Sequence, residues 1–268
     1  MSEEIVNNQI RPSVVDEDVE NVLDRLLRNG CTFQANVTFT AGRVDRIEAS
    51  SPRVVNDFRV LHHVERYWFA KAFVRSLAGQ NVSVVDIGSG EALGLRELMR
   101  GCPEIVRAVG VEVDETIANA VRDRYPFVDT IVANIEELDV PDPFDIVLCF
   151  ELMGNNSLTS DEALLQRLDK LCAPGGHVFL STAAYGDTKT GRTRAKDYSA
   201  RIYDSRSFID IMTRSFPDYS IRFFGQTYPL KRMSTRQVGV WENPGLEKET
   251  DFLICVARKP SRLGEAPH

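Results

Sequence analysis

Residues 84–94 read VVDIGSGEALG, a run of β-branched and apolar side chains that meets an aspartate and then two glycines spaced one apart. Val84, Val85 and Ile87 have the character of a buried strand, and Gly88 and Gly90 mark the turn that ends it. Outward from this stretch, apolar strand-like runs recur at 82–87, 106–111, 129–133, 144–150 and 176–182. Helical stretches at 91–100, 115–124 and 160–172 lie between them. Strands that alternate with helices build a parallel sheet covered on both faces. Two final runs, 219–224 and 251–257, are joined without an evident helix and predict a closing antiparallel pair. The expected fold is α/β: a seven-stranded, mostly parallel sheet with helices on both faces and a C-terminal antiparallel strand pair.

The N-terminal residues have a different period. Residues 14–29 place Val19, Val22, Leu23, Leu26 and Leu27 at helical spacing and end before Gly30. Residues 31–50 alternate, with Phe33, Ala35, Val37 and Phe39 on one face, which predicts a hairpin turning near Gly42. A further helix is expected over 56–77, carrying Leu61, Val64, Tyr67, Trp68 and Phe73. The expected organisation is an N-terminal helix and hairpin cap over 1–55, an α/β domain over 56–260 and a flexible tail over 261–268. The cap reads as a lid over a substrate or as the contact of a homodimer.

Composition narrows the function classes. At 43% hydrophobic and 26% charged the chain has the make-up of a soluble globular protein. No apolar run approaches the roughly 20 residues of a membrane helix, and the polar start MSEEIVNNQIRPS is no secretory signal. A net charge of −7 argues against generic nucleic-acid binding. Cys31, Cys102, Cys149, Cys172 and Cys255 are scattered without a C-x-x-C pair and read as reduced thiols of a cytoplasmic protein. The histidines, at 62, 63, 177 and 268, show no metal-ligand spacing, so no metal is expected.

In sheets of this kind ligands sit beyond the carboxyl ends of the strands, where the first strand turns into its helix. Glycines there let a ligand approach the backbone. The next strand ends in VGVEVD and puts Glu112 22 residues after Gly90, where a carboxylate can accept from both hydroxyls of an adenosine ribose. That spacing suits NAD as well, and two features separate the cases. A dinucleotide fingerprint wants its third glycine at 93, where Leu93 stands; Gly94 comes one residue later. Asp86 sets an anion at the strand tip, which would repel a pyrophosphate and attract an ammonium or a sulfonium. S-adenosyl-L-methionine carries both, with a ribose for Glu112. Plainer roles are open for several neighbours: a tight turn for the glycines, a solvated carboxylate for Asp114, an edge position for His177 and a structural one for Asp145.

With these residues in view, positions 58 to 258 resemble the class I S-adenosylmethionine-dependent methyltransferases. DIGSGEA is similar to that family's D-x-G-x-G-x-G turn, with Ala92 in place of the last glycine. VGVEVD resembles its ribose-binding strand end, and VANIEEL the segment that clamps the adenine, with Asn134 where the family usually has Asp. PFDIVLCFELM and LCAPGGHVFLS resemble the fourth and fifth strands. The resemblance implies a cofactor site of Asp86, Gly88, Ser89, Gly90, Glu112, Val113, Asn134, Ile135 and Phe150. HVERYWFA, 63–70, is similar to an H-x-x-R-Y-x-F-A segment of small-molecule and glycan-associated members. It implies Arg66 paired with the methionine carboxylate and Tyr67 over the sulfonium. The alternative is an amphipathic helix on which Trp68 and Phe69 pack while His63 and Arg66 face water.

The acceptor side is less marked. YSARIYDSRSF resembles the family's H-x-R-x-[FY]-[TS]-x-x-E-[FL], matching Arg201 and Tyr203, with Ser199 and Ser207 at the histidine and glutamate positions. Residues 187–206 carry six basic and three acidic side chains, and KRMSTR, 231–236, adds three basic ones. These loops would steer an anionic acceptor or stand simply solvated. Methyl transfer from an activated donor asks mainly for alignment and exclusion of water, and a hydroxyl acceptor also wants a base. Glu151, just past the fourth strand, is the first candidate base, with His63 and Tyr203 behind it. Asn155, Asn156, Tyr185 and Arg201 are expected to hold the acceptor. The resemblance implies a metal-independent methyltransferase acting on oxygen or nitrogen of a small molecule, away from membranes. Its rivals are an RNA or protein methyltransferase using the basic loops, and a non-catalytic S-adenosylmethionine-binding scaffold.

Overall fold

The structure, a computed structural model, describes residues 58–77, 80–155, 158–184, 203–227, 240–248 and 250–261. The expected cap, most of the loop 187–206, the loop 231–236 and nearly all of the expected tail lie outside the described residues.

Helix α1 (Phe58–Ser76) comes first, and β1 (Val82–Ile87) then leads through the glycine turn into α2 (Leu93–Met99). The alternation continues with β2 (Ile105–Glu112), α3 (Glu115–Arg124), β3 (Asp129–Val132), β4 (Phe144–Phe150), α4 (Asp161–Leu171) and β5 (Cys172–Ala183). The end is α5 (Ser205–Ser215), β6 (Ser220–Gln226), β7 (Val240–Glu242) and β8 (Phe252–Arg258). One sheet runs β3-β2-β1-β4-β5-β8-β6-β7. Strands β1 to β5 pair in parallel, and β8 lies antiparallel between β5 and β6. The closing antiparallel strands are therefore as expected. The expected count of seven strands becomes eight, because three residues at Val240–Glu242 pair with Phe224–Gln226. A three-residue edge strand is too short for its alternation to be read from sequence.

Local chemistry sets the helix starts. The Asp114 carboxylate accepts from the backbone N–H of Thr116 and Ile117, so this residue caps α3 and leaves Glu112 to the strand tip. Ser160 caps α4 in the same way. Asp204 and Ser207 close a capping box at α5, which gives Ser207 a role of its own where the family pattern has a glutamate.

Because side chains alternate along a strand, the sheet buries two cores. Val85, Val109, Val147 and Cys149 face Leu164, Leu168 and Phe208 of α4 and α5. Val84, Ala108, Ile146 and Leu148 face Tyr67, Ala70 and Val74 of α1 and Leu95 of α2. Asp86 has the parity of the second set, which points it at α1. The strand order reverses at β1, between β2 and β4, so a crevice opens there at the carboxyl edge.

Candidate functional site

At that crevice Asp86 is fully buried. Its Oδ2 accepts from the Tyr67 hydroxyl at 2.9 Å, and its Oδ1 meets no hydrogen-bond partner among the described residues. Burial is the main cause that pushes this carboxyl up to about 7; the Tyr67 hydrogen bond pulls the other way, and Glu112 adds to the rise. Burial and the adjacent Asp86 hold the Tyr67 hydroxyl well above its ordinary range, so Tyr67 remains a donor. Gly94 explains how Tyr67 reaches this place: a Cβ added there would lie 2.1 Å from the Tyr67 ring. The glycine that fails the dinucleotide fingerprint is needed for a tyrosine 27 residues earlier in the chain.

The turn itself has left-handed backbone at Gly88 (φ 75°), Gly90 (φ 54°) and Ala92 (φ 56°). Ala92 holds the conformation a glycine would take, at a cost of about 1–2 kcal/mol. Ser89, predicted for the cofactor, is buried against Gly110, and its Oγ has no hydrogen-bond partner among the described residues. Glu112 Oε2 accepts from Gly90 N–H at 3.1 Å and Oε1 from Asp114 N–H at 2.9 Å, so the backbone fixes its carboxylate beside the turn. Val113 and Val132, at the tips of β2 and β3, are 64% and 39% exposed, apolar side chains standing in solvent next to Glu112. Asn134 turns its Oδ1 to Glu136 N–H at 3.1 Å, so its amide oxygen closes a local turn rather than reaching outward unencumbered. Ile135 belongs to the core below, and Phe150 packs edge-on to Tyr67 at 5.0 Å.

Beyond β4 three predicted residues converge. Arg66 Nη2 donates to Glu151 Oε1 at 2.5 Å and lies 2.8 Å from His63 Nδ1, while His63 Nε2 lies 3.3 Å from Glu151 Oε2. Arg66 also meets Gln226 Oε1 at 3.1 Å, the Phe252 ring 4.7 Å from the guanidinium and the Phe150 ring at 5.8 Å. Arg66 is wholly buried, which corrects the amphipathic-helix alternative in which it faces water. Its terminal nitrogens meet protein groups, Nε has no hydrogen-bond partner among the described residues, and Phe252 covers one face of the guanidinium. Tyr67 offers its hydroxyl to Asp86, and its ring lies close to Gly94. A Cβ added at Gly88 would meet the side chain of Leu152, next to Glu151, at 3.8 Å, so this cluster adjoins the glycine turn.

Tyr203 belongs to a contact with α4. Its hydroxyl donates to buried Asp161 at 2.5 Å, and Asp161 also accepts from Gly154 N–H, so the pair braces the loop after β4. Asn155 lies in that loop; Asn156, Tyr185 and Arg201 lie outside the described residues. Asp145 accepts from Ser83 N–H and hydroxyl at the foot of β1, the structural role expected of it. His177 packs on the Phe73 ring at 4.5 Å, and burial pushes it down to about 4, so it stays neutral. Sequence reading missed Gln226, Glu65 and Phe252, which join the Arg66 cluster from positions next to it in the chain to far downstream. A polar residue ending an otherwise apolar strand, as Gln226 does in RFFGQ, was the one signal available.

Residues 84–176 match the family model described as a methyltransferase domain. A probable S-adenosylmethionine-dependent methyltransferase of Mycolicibacterium smegmatis is 30% identical over 125 residues, 44% of this chain and 46% of that one. A ubiquinone biosynthesis O-methyltransferase of Cupriavidus pinatubonensis is 28% identical over 153 residues, 54% of this chain and 55% of that one. The chain thus spans about half the length of these curated relatives. Among solved structures, an S-adenosylmethionine-dependent methyltransferase of Thermotoga maritima, described as a possible histamine N-methyltransferase, aligns with TM-score 0.54. It is 18% identical and covers 74% of this chain and 91% of its own, a likeness of fold.

Proposed function

We propose that the protein, whose residues 84–176 match a methyltransferase-domain family model, moves a methyl group from S-adenosyl-L-methionine to an oxygen or nitrogen of a small molecule. The observation that carries this reading is Asp86: a buried carboxyl at the strand tip with one oxygen lacking a partner among the described residues. Burying such a group without compensation is costly, and a cationic ligand is what would relieve it. The neighbouring residues fit the same donor. Gly88 and Gly90 open the backbone beside Asp86, Glu112 is held by backbone N–H groups where a ribose would need an acceptor, and Val113 and Val132 offer apolar surface to a nucleobase.

S-adenosylmethionine supplies a methyl group already activated on a sulfonium, so the chain has little covalent work to do. Its residues bind and align. Asp86 provides the negative charge for the donor, and Tyr67 fixes the carboxyl through a hydrogen bond. Glu112 orients the nucleoside end, and the loop after β4 walls the acceptor side, braced by Asp161 and Tyr203. A ubiquinone biosynthesis O-methyltransferase stands among the similar proteins, which supports an oxygen as the attacking atom. Among the described residues no helix is long and apolar enough to cross a membrane.

Calorimetry tests the donor. Titration with S-adenosylhomocysteine should give a Kd in the micromolar range, about −8 kcal/mol, and NADH should give no heat. Heat with NADH and silence with the methionine nucleosides would overturn the reading.

A further inference from the structure

The segment after β3 leaves the sheet beside the donor crevice. Ala133 N–H donates to the Glu112 carbonyl at 3.2 Å, and exposed Val132 stands just before it. Asn134 Oδ1 then accepts from Glu136 N–H at 3.1 Å, a side-chain turn that sets the direction in which Glu136 leaves the backbone. Ile135 and Leu138, to either side, are buried in the core with Leu164, Leu165 and Leu168 of α4. Glu136 therefore stands on a fixed base.

Its carboxylate reaches the residue that precedes the cap of α4. Oε1 accepts from Thr159 N–H at 2.7 Å and Oε2 from the Thr159 hydroxyl at 2.8 Å, across 23 residues of chain. Two bonds to one residue fix orientation as well as distance, and they hold the Glu136 carboxyl below its ordinary range. Arg167 Nη2 of α4 donates to the Glu136 carbonyl at 2.5 Å, so backbone and side chain are both tied to that helix.

The start of α4 carries the contact onward. Ser160 accepts from Ala163 N–H at 2.9 Å as the cap, and buried Asp161 follows it. Asp161 Oδ1 accepts at 2.8 Å from the N–H of Gly154, a buried residue with left-handed backbone (φ 82°) in the loop after β4. One step earlier in that loop, the Met153 carbonyl accepts from the Thr182 hydroxyl at 3.2 Å. Between Thr159 and Gly154 there are two steps of chain and one buried hydrogen bond. A displacement at Glu136 has a short, stiff route to the acceptor wall.

We propose that the Glu136 carboxylate is a positioning group that couples the two halves of the site. A nucleoside bound against Val132 and Asn134 steadies Glu136, which through Thr159 and Asp161 sets the loop 151–155. This rests on the methyltransferase reading, which makes residues 132–134 the nucleoside side and that loop the acceptor side. Donor and acceptor then bind with positive cooperativity, each tightening the other by the same factor.

Amide hydrogen exchange on the full chain reads this coupling without an acceptor. Saturating S-adenosylhomocysteine should slow exchange at Gly154 at least about fivefold in the wild type, the low end of coupling between sites. Glu136→Ala should still bind the nucleoside by calorimetry, yet Gly154 exchange should no longer respond to it. Glu136→Gln should keep most of the response, because its amide accepts from Thr159 N–H and donates to the hydroxyl. A brace that serves α4 alone would leave the Gly154 response of Glu136→Ala equal to that of the wild type. That result, or a wild-type Gly154 indifferent to the nucleoside, would overturn the proposal. Should Glu136→Ala fail to fold or to bind, Thr159→Val, which loses only the hydroxyl bond, decides: a reduced response supports the coupling and an unchanged one overturns it. If the wild type gives no heat with S-adenosylhomocysteine, the donor reading falls and the link is judged without ligand. Glu136→Ala should then speed Gly154 exchange while Glu136→Gln does not, and equal exchange in all three proteins would overturn it.

Discussion

The two edges of the sheet treat polar side chains in opposite ways. At the amino edge two carboxylates are closed on their neighbours: Asp145 accepts twice from Ser83, and Asp169 takes the Tyr219 hydroxyl at 2.5 Å and the Lys259 ammonium at 3.0 Å. At the carboxyl edge Asp86 Oδ1, Ser89 Oγ, Ser181 Oγ, Thr250 Oγ1 and Arg66 Nε are buried without a hydrogen-bond partner among the described residues. Buried polar groups are ordinarily satisfied, since each orphan costs about 1–3 kcal/mol. An edge that satisfies itself serves the fold. One that leaves its groups unmet gives up stability for what it can bind.

The sharpest break of this contrast is Asp86→Asn. Donor affinity should fall at least about hundredfold, the scale of truncating one partner of a buried charge pair, read by calorimetry with S-adenosylhomocysteine. The same variant should be more stable than the wild type without ligand at about pH 8. The Asp86 pKa is raised from 3.8 to about 7, so between those values the folded state holds a proton that the unfolded state has released. Stability from this group is therefore fully present below the lower value and is lost as pH rises towards the upper one. Thermal melts should show the gain of Asp86→Asn shrinking as the pH falls towards 4. A variant that is less stable at both extremes would refute the idea that Asp86 is held at a cost.

Gly94→Ala comes next. The added methyl meets the Tyr67 ring, and overpacking of this kind costs about 1–3 kcal/mol. Donor binding should weaken in step with the melting temperature, because Tyr67 is what holds Asp86; an unchanged Kd would separate the two. Tyr67→Phe removes only the hydroxyl and should weaken donor binding about tenfold near pH 7, within the range of a charge-assisted hydrogen bond. Its sign with pH is set: losing the hydrogen bond lets the Asp86 pKa rise further, so affinity should recover as the pH is raised. A pH-independent loss would assign Tyr67 to packing alone. The smallest effect belongs to the closed edge, where Asp145→Asn should cost about 1 kcal/mol in denaturant titration and leave donor affinity untouched.

Much of the donor site could be read from the chain in one dimension. The strand, the glycine turn and the next strand's acidic tip are consecutive, so Asp86, Gly88, Gly90 and Glu112 follow from spacing alone. Between Glu112 and Asp114 the fold adds a local fact: Asp114 is spent on capping α3. The acceptor side yielded less. His63, Arg66 and Glu151 were each singled out, but that they meet in one cluster was not legible, because the contacts of Arg66 with Glu151 and Gln226 span 85 residues and more. The basic loops and Arg201, on which the anionic acceptor depended, lie outside the described residues.

What the sequence determined unaided was the alternating sheet and the turn that gathers charge at its first strand, since periodicity and glycine spacing act between neighbours. Only the folded chain decided that Gly94 makes room for Tyr67, that Tyr67 holds Asp86, and that Arg66 ties α1 to the ends of β4 and β6. Those are facts of contact between distant segments. No local pattern encodes which side chain will fill a space that another part of the chain leaves open.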